Sequence, residues 1–299
     1  MRTVDKYANL FAVFGPPLVL IGLLPLAVQH DLANLSDLIV FAVMYLLCGF
    51  GITIGYHRLL THRSFATYKP IEYLFATLGS MAIQGGPLDW VADHRKHHAH
   101  TDVEGDPHSP HVGHGEGVWG AFRGLWHAHV GWTWRVHGMA THERFARELA
   151  DDRGMKVIHA LFPLLLVASA AIPFGLGVAI TGSVYGGLTA LLWGGLIRVL
   201  VQSHVTWSVN SVCHFFGRRR FAIEDESTNV WWLALPSLGE SWHHNHHAFP
   251  RSASHGLGKW ELDPSAIVIR GLTALRLAWD PVEITADRQA SKLVDAPNA

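Results

Sequence analysis

Three short strings in the sequence gather side chains that bind metals: His57-Arg58-Leu59-Leu60-Thr61-His62, His94-Arg95-Lys96-His97-His98 and His243-His244-Asn245-His246-His247. A smaller pair, Asn210 and His214, stands one helical turn apart. Positions i, i+3 and i+4 share a helix face, so His94, His97 and His98 converge, and His243, His246 and His247 repeat that spacing. His57 and His62 are five residues apart, about 140° of rotation on an ideal helix. Both reach one point only if the helix ends or unwinds between them. A lone histidine is ordinarily a hydrogen-bonded polar residue. Clustered imidazoles repel one another when protonated, so packing them together requires a metal or another compensating partner. The strings contain no thiolate and no paired glutamates, and an all-imidazole set suits zinc, copper, iron or nickel. With His214, the candidates outnumber the ligands one ion takes, which points to two ions. The extra imidazole of His244 leaves open which three of the last string bind. His111 and His114, among glycines in a segment with no fixed helical face, are expected outside the set.

The elements that must hold these residues belong to a membrane protein. Hydrophobic residues make up 49% of the 299 and charged residues 16%, against about 25% charged in ordinary soluble chains. Mean hydropathy is +0.19. Such a composition excludes disorder, and a net charge of -1 gives no footprint for nucleic acid. Two cysteines, Cys48 and Cys213, exclude a disulfide framework and a four-cysteine zinc site. A bilayer core of about 30 Å takes about 20 apolar residues in a helix. Four runs meet that demand: 8–28, 38–56, 157–180 and 184–201. The first is expected to be an uncleaved span rather than a signal peptide. A shorter run, 71–83, reads as re-entrant or interfacial.

Lysine and arginine set the orientation. Segment 1–7 has two, loop 57–156 has eleven and tail 202–299 has nine, while 29–37 and 181–183 have none. The expected architecture is an all-α membrane protein, with four transmembrane helices in two hairpins and a cytoplasmic helical cap carrying a di-metal centre. Its parts are a cytoplasmic N-terminus (1–7), a first hairpin (8–56), a loop with the first two histidine strings (57–156), a second hairpin (157–201) and a cytoplasmic C-terminal region with the third (202–299).

At these residues the chain resembles the membrane fatty acid desaturases, close to the acyl-CoA Δ9 group that includes stearoyl-CoA desaturase, in its bacterial form. The three strings match that family's HxxxxH, HxxHH and HxxHH boxes. Asp106-Pro107-His108, His129-Val130-Gly131-Trp132, Asn210-Ser211-Val212-Cys213-His214-Phe215-Phe216-Gly217 and Gly239-Glu240-Ser241-Trp242 resemble its flanking strings, in order, over about residues 36–280. The resemblance implies a non-haem di-iron centre held by His57, His62, His94, His97, His98, His214, His243, His246 and His247. It also implies that Asn210 reaches one iron through water. His244 stands where the family usually has asparagine.

The reaction so implied is O2-dependent insertion of a cis double bond into a saturated C16 or C18 acyl chain, with two electrons from outside. Trp90 and Trp126, near the second box and the His-Val-Gly-Trp string, are the tunnel-lining candidates. Arg198, Arg218, Arg219 and Arg220 are expected as lipid-headgroup anchors. A CoA-linked substrate is expected, although Ala92 stands where animal relatives use an arginine to hold CoA; other groups such as Arg95 or Arg135 would then serve, and acyl carrier protein or a membrane lipid are the alternative carriers. With no haem or flavin motif, electrons are expected from a separate protein such as a ferredoxin with its reductase. The implied location is the bacterial cytoplasmic membrane, with active site and termini facing the cytoplasm. A membrane di-iron alkane or lipid hydroxylase is the alternative within the chemistry. A histidine-rich metal transporter is the alternative outside it, but only His159 falls well inside a predicted span. A reporter fused after Ala299 should be active on the cytoplasmic side; activity of a reporter that works only across the membrane would overturn the two-hairpin arrangement.

Overall fold

A computed structural model describes residues 13–23, 25, 30 and 32–293. The first predicted span, 8–28, lies partly outside the described residues; its described part forms the apolar helix α1 (Val13–Leu23). Helix α2 (Leu35–Thr61) starts on a capping box in which Asn34 and Asp37 bond each other's backbone N–H. It does not stop at residue 56. From Gly51 to Thr61 it continues as a π-helix, whose i→i+5 bonds widen the turn. A two-residue strand β1 (Ala66–Thr67) follows, then α3 (Lys69–Ser80), α4 (Pro87–His100) and α5 (Gly117–His129).

The predicted span 157–180 is broken. Helix α6 (Arg153–Ala160) ends and α7 (Phe162–Thr181) begins anew, with Pro163 in its first turn. Proline suits a helix start because its missing N–H would have no partner there. His159 therefore sits on α6 and not inside a span. Helix α8 (Val184–His214) runs 31 residues, well past residue 201, with a second π-helical stretch at Leu191–Ile197. The box-3 helix α9 (His243–Ala248), α10 (Pro264–Ala274) and strand β2 (Ala278–Trp279) complete the elements near the site; β2 pairs antiparallel with β1, Ala66 opposite Trp279. Among the described residues, α2, α7 and α8 are long and apolar enough to cross a membrane.

Two contacts fix these helices against one another. Arg198 is fully buried on α8. It donates to the carbonyls of Gly194 and Met81 and to Ser169 Oγ, joining α7, α8 and the end of α3. It is therefore not a headgroup anchor: backbone carbonyls satisfy it inside the bundle. The second contact is backbone on backbone. A Cβ on Gly51 would stand 2.2 Å from the Gly79 nitrogen, and a Cβ on Gly79 would stand 2.8 Å from the Gly51 carbonyl oxygen. The π-helical part of α2 can lie on α3 only because both positions lack side chains. Gly51→Leu should thus force the pair apart, costing about 1–3 kcal/mol as overpacking does. A thermal unfolding midpoint unchanged from that of the unsubstituted protein in detergent would refute this packing constraint.

Candidate metal centre

The histidine strings occupy the ends of elements that meet. His57 and His62 lie on and just beyond the π-helical end of α2, where the His62 N–H bonds the His57 carbonyl at 3.1 Å. That wide turn is the unwinding their spacing requires, and it brings the two rings to 4.9 Å. Arg95, inside the second string, donates to the carbonyls of Leu60 and Thr61 and so caps α2; it also donates to the Phe145 carbonyl and pairs with Glu148 at 2.6 Å. It is fully engaged and not free to hold CoA.

The imidazoles fall into two groups. In each, the ring nitrogens lie within 4.8 Å of one another: His57, His62, His94, His98 and His246 in the first, His97, His214, His243 and His247 in the second. The triples do not converge on one point, as their shared helix face suggested. On α4, His94 and His98 join the first group and His97 the second; on α9, His243 and His247 join the second and His246 the first. Residue i+4 is rotated only about 40° from i, whereas i+3 lies about 60° to the other side. One helix face thus straddles two centres.

Carboxylates stand behind the rings. His97 Nδ1 is 3.0 Å from Asp106, His214 Nδ1 is 2.9 Å from Asp102 and His247 Nδ1 is 3.1 Å from Asp225, while His57 Nδ1 bonds Glu240. A neutral imidazole has one N–H. With that proton on Nδ1, each Nε2 presents a lone pair. Yet the Nε2 atoms face one another: His243 is 3.0 Å from both His214 and His247, and His246 is 3.1 Å from His57 and 2.9 Å from His98. His243 has a single proton at most and cannot satisfy both neighbours. Protonation is no remedy. Burial, then the charge of neighbouring imidazoles, holds His62, His94, His98, His243, His246 and His247 well below the ordinary histidine range. His62 Nε2 and His97 Nε2 are buried with no protein partner.

Bound cations would resolve these conflicts. Nitrogens about 2.1 Å from one ion and about 90° apart stand about 3 Å from each other. Burial raises Asp102, but the hydrogen bond and charge of His214 pull it down to about 2. Asp106 is likewise held below the carboxylate range, against burial, by His97. The anions therefore persist to balance the metal charge, and they orient the rings as partners behind metal-binding histidines do. Arg58, fully buried, donates to Glu240, to Asp263 and to the Ala253 carbonyl, locking the end of α2 to the segment carrying α9. Arg219 donates to the carbonyls of Ile223, Asp225 and Ser227 and shapes the loop that presents Asp225; Arg220 pairs with Glu261 at 3.2 Å. Both are internal ties and not headgroup anchors.

His244 faces the other way. Its Nε2 accepts from the Phe221 N–H at 2.9 Å and its Nδ1 donates to the Ser227 carbonyl at 3.0 Å, so no lone pair remains for a metal. Asn245 is bonded to Asn229, Glu261 and the His255 carbonyl. His111 and His114 lie outside both groups, though His111 Nε2 donates to the carbonyl of His214 at 2.5 Å. Sequence reasoning missed His255, which is buried 4.4 Å ring to ring from His246 and beside Glu240 at 3.6 Å. Its lone position in the sequence carries no spacing signal. Asp225 and Asp263 were equally hidden.

A mostly apolar cavity runs between α2, α8 and the 236–243 segment, concave and apolar as small-molecule sites are. Ile52, Val205, Val209 and Leu238 line its walls, and it reaches His57 and His94 of the first group and His243 of the second. Trp90 lines it and stacks on His94, with ring centroids at 4.8 Å; Asn210 also lines it. Trp126 does not line it and packs on Trp134 instead.

The family model described as "Fatty acid desaturase" matches residues 37–264. A hex-5-enoyl-[acyl-carrier protein] acetylenase of Moorena producens (strain JHB) is 42% identical over 238 residues, covering 79% of this chain and 74% of that protein. An sn-1 stearoyl-lipid 9-desaturase of Anabaena variabilis is 39% identical, covering 77% and 78%. The Delta-9 acyl-lipid desaturase 1 of Arabidopsis thaliana is also 39% identical, covering 84% and 76%.

Metal analysis separates the inward rings from the outward one. The purified protein should carry two transition-metal ions per chain. His97→Ala should lower that content, whereas His244→Asn should keep it, losing only about 1 kcal/mol of stability with its hydrogen bonds. Equal metal loss in both variants would overturn the division of the last string.

Proposed function

The chain belongs to the fatty acid desaturase family, and from that premise we propose that it inserts a cis double bond at the Δ9 position of a saturated C16 or C18 acyl chain. The observation that carries this reading is the apolar cavity that runs to histidines of both groups. Iron fits the all-imidazole donor set. His57, His62, His94, His98 and His246 would hold one ion; His97, His214, His243 and His247 would hold the other, with Asn210 reaching it through water. When bound, the ions supply the activation of O2 and the removal of hydrogen from unactivated carbon, which no side chain performs.

The chain's own residues do the rest. The cavity walls strip water from the acyl chain and hold it extended past Trp90, so that the same carbons always lie at the metal end. The four carboxylates fix the orientation of His57, His97, His214 and His247 by holding the ring proton on Nδ1, which leaves Nε2 of each free to face an ion. Electrons come from a separate protein, with a ferredoxin and its reductase the fitting kind. The lysine and arginine distribution supports a cytoplasmic-membrane protein with the site on the cytoplasmic side.

For the carrier, a glycerolipid fits better than CoA. Ala92, which stands where animal relatives carry a CoA-holding arginine, is fully buried in α4, and Arg95 is committed to capping α2. Two of the relatives named above act on acyl-lipids by name. In a host lacking its own Δ9 desaturase, the protein should generate cis-9 monoenes, read by mass spectrometric location of the double bond. A bond elsewhere would overturn the regiochemistry, and an alcohol would overturn desaturation in favour of hydroxylation. With reduced ferredoxin and no acyltransferase present, stearoyl groups on an added glycerolipid should react and stearoyl-CoA should not.

A further inference from the structure

Helix α5 has its faces reversed relative to a helix in water. The inward face is built of the smallest residues: Gly120, Gly124 and Ala128 are buried. A Cβ on Gly120 would stand 2.2 Å from the Gly115 carbonyl oxygen, and one on Gly124 would stand 1.8 Å from that of Pro110. The outward face carries the large apolar side chains. Val118 is 85% exposed, Trp119 74%, Phe122 60% and Trp126 48%. An amphipathic helix on a soluble surface turns such residues toward the core. Here they face out along about two turns, as a contiguous patch of the kind that marks an interaction surface.

The occupant of that surface follows from what it continues into. Trp126 packs on Trp134 with ring centroids 6.4 Å apart, and Trp134 packs on Phe14 at 5.7 Å. Phe14 belongs to α1, whose Leu18, Val19 and Ile21 are themselves exposed and apolar. Val13, at the start of α1, is buried with Val130 and Trp132 just beyond the end of α5 and with Trp207 of α8. The aromatic face of α5 is thus the lateral extension of the apolar surface of α1. Tryptophan and phenylalanine are the residues that settle at the membrane–water boundary.

We propose that α5 lies in the membrane surface on the side of the histidine centre, with Val118, Trp119, Phe122 and Trp126 immersed in lipid. This places part of the loop 57–156 in the bilayer boundary and not in free solution. A helix of this kind lies parallel to the membrane with its apolar face about 5–10 Å below the headgroups.

Site-directed spin labelling tests this in the full-length protein. Cys48 and Cys213 are buried, so a nitroxide reagent will select an added exposed cysteine. Val118→Cys and Phe122→Cys are compared with Leu18→Cys, on the apolar face of α1, and Glu143→Cys, on an exposed polar segment. Each variant is first checked for the metal content of the unsubstituted protein. All are placed in nanodiscs of phosphatidylcholine and phosphatidylglycerol, and collision with O2 and with a water-soluble nickel chelate is measured by power saturation. Labels at 118 and 122 should favour O2 over nickel, as the label at 18 does. If their ratio instead matches position 143, the face is open to water and the proposal is overturned. A protein partner as the true occupant gives that same water-exposed result, because no other protein is present. The second labelled position keeps the test decisive if one variant fails to fold.

Discussion

Nine imidazoles meet in a space where their lone pairs cannot coexist without positive charge. Contacts of about 3 Å between Nε2 atoms, with Nδ1 of His57, His97, His214 and His247 committed to carboxylates, are repulsive in the bare protein and favourable around cations. Much else in the fold follows from that requirement. Asp102, Asp106, Asp225 and Glu240 must be ionised and immobile behind the rings, and elements far apart in sequence must end at the same place. The buried set of Arg58, Glu240 and Asp263 holds two of those elements together. Removing one partner from such a set costs about 3–5 kcal/mol, because it strands a buried charge.

Two of the three described helices long enough to cross a membrane, α2 and α8, also deliver histidines to the two groups. Helix α2 carries His57 at its end and α8 ends on His214. In α2 the delivery depends on a change of helix type. An α-helix would splay His57 and His62 apart, whereas the π-helical turn brings their rings together edge to face, and the glycine contact with α3 gives that wider turn a seat. The span is therefore continuous with the metal site, with no flexible linker between them. This rigidity suits a centre whose ligand nitrogens must be positioned to fractions of an ångström.

The cavity joins the two halves of the chemistry. Its walls come from α2 and α8, and its end comes from three histidine strings at once. Trp90 belongs to both, lining the cavity with one face and stacking on His94 with the other. The apolar walls and the histidine end of the cavity are thereby held in fixed register by packing.

The nine histidines that gather into the two groups stood out in the sequence because their spacing leaves a periodic mark: two pentads with i, i+3, i+4 positions, a five-residue gap, and an asparagine–histidine pair one turn apart. The apolar runs, the helical class and the excess of histidine on the charged side of those runs were equally plain, since each is a property of consecutive residues. The sequence could not divide the triples between two groups, since that depends on where a second helix crosses the first. Nor could it tell His244 from His246, because neighbouring residues differ only in the side of the helix that meets the centre. Pro163 marked a helix start that hydropathy averaging hid inside a longer apolar run. Asp225, Asp263 and His255 carry no spacing at all, and they reach the site through loops closed by Arg219, Arg58 and Asn245. The tertiary structure decided those roles, because the partner of a buried charge is chosen by proximity in space and not along the chain.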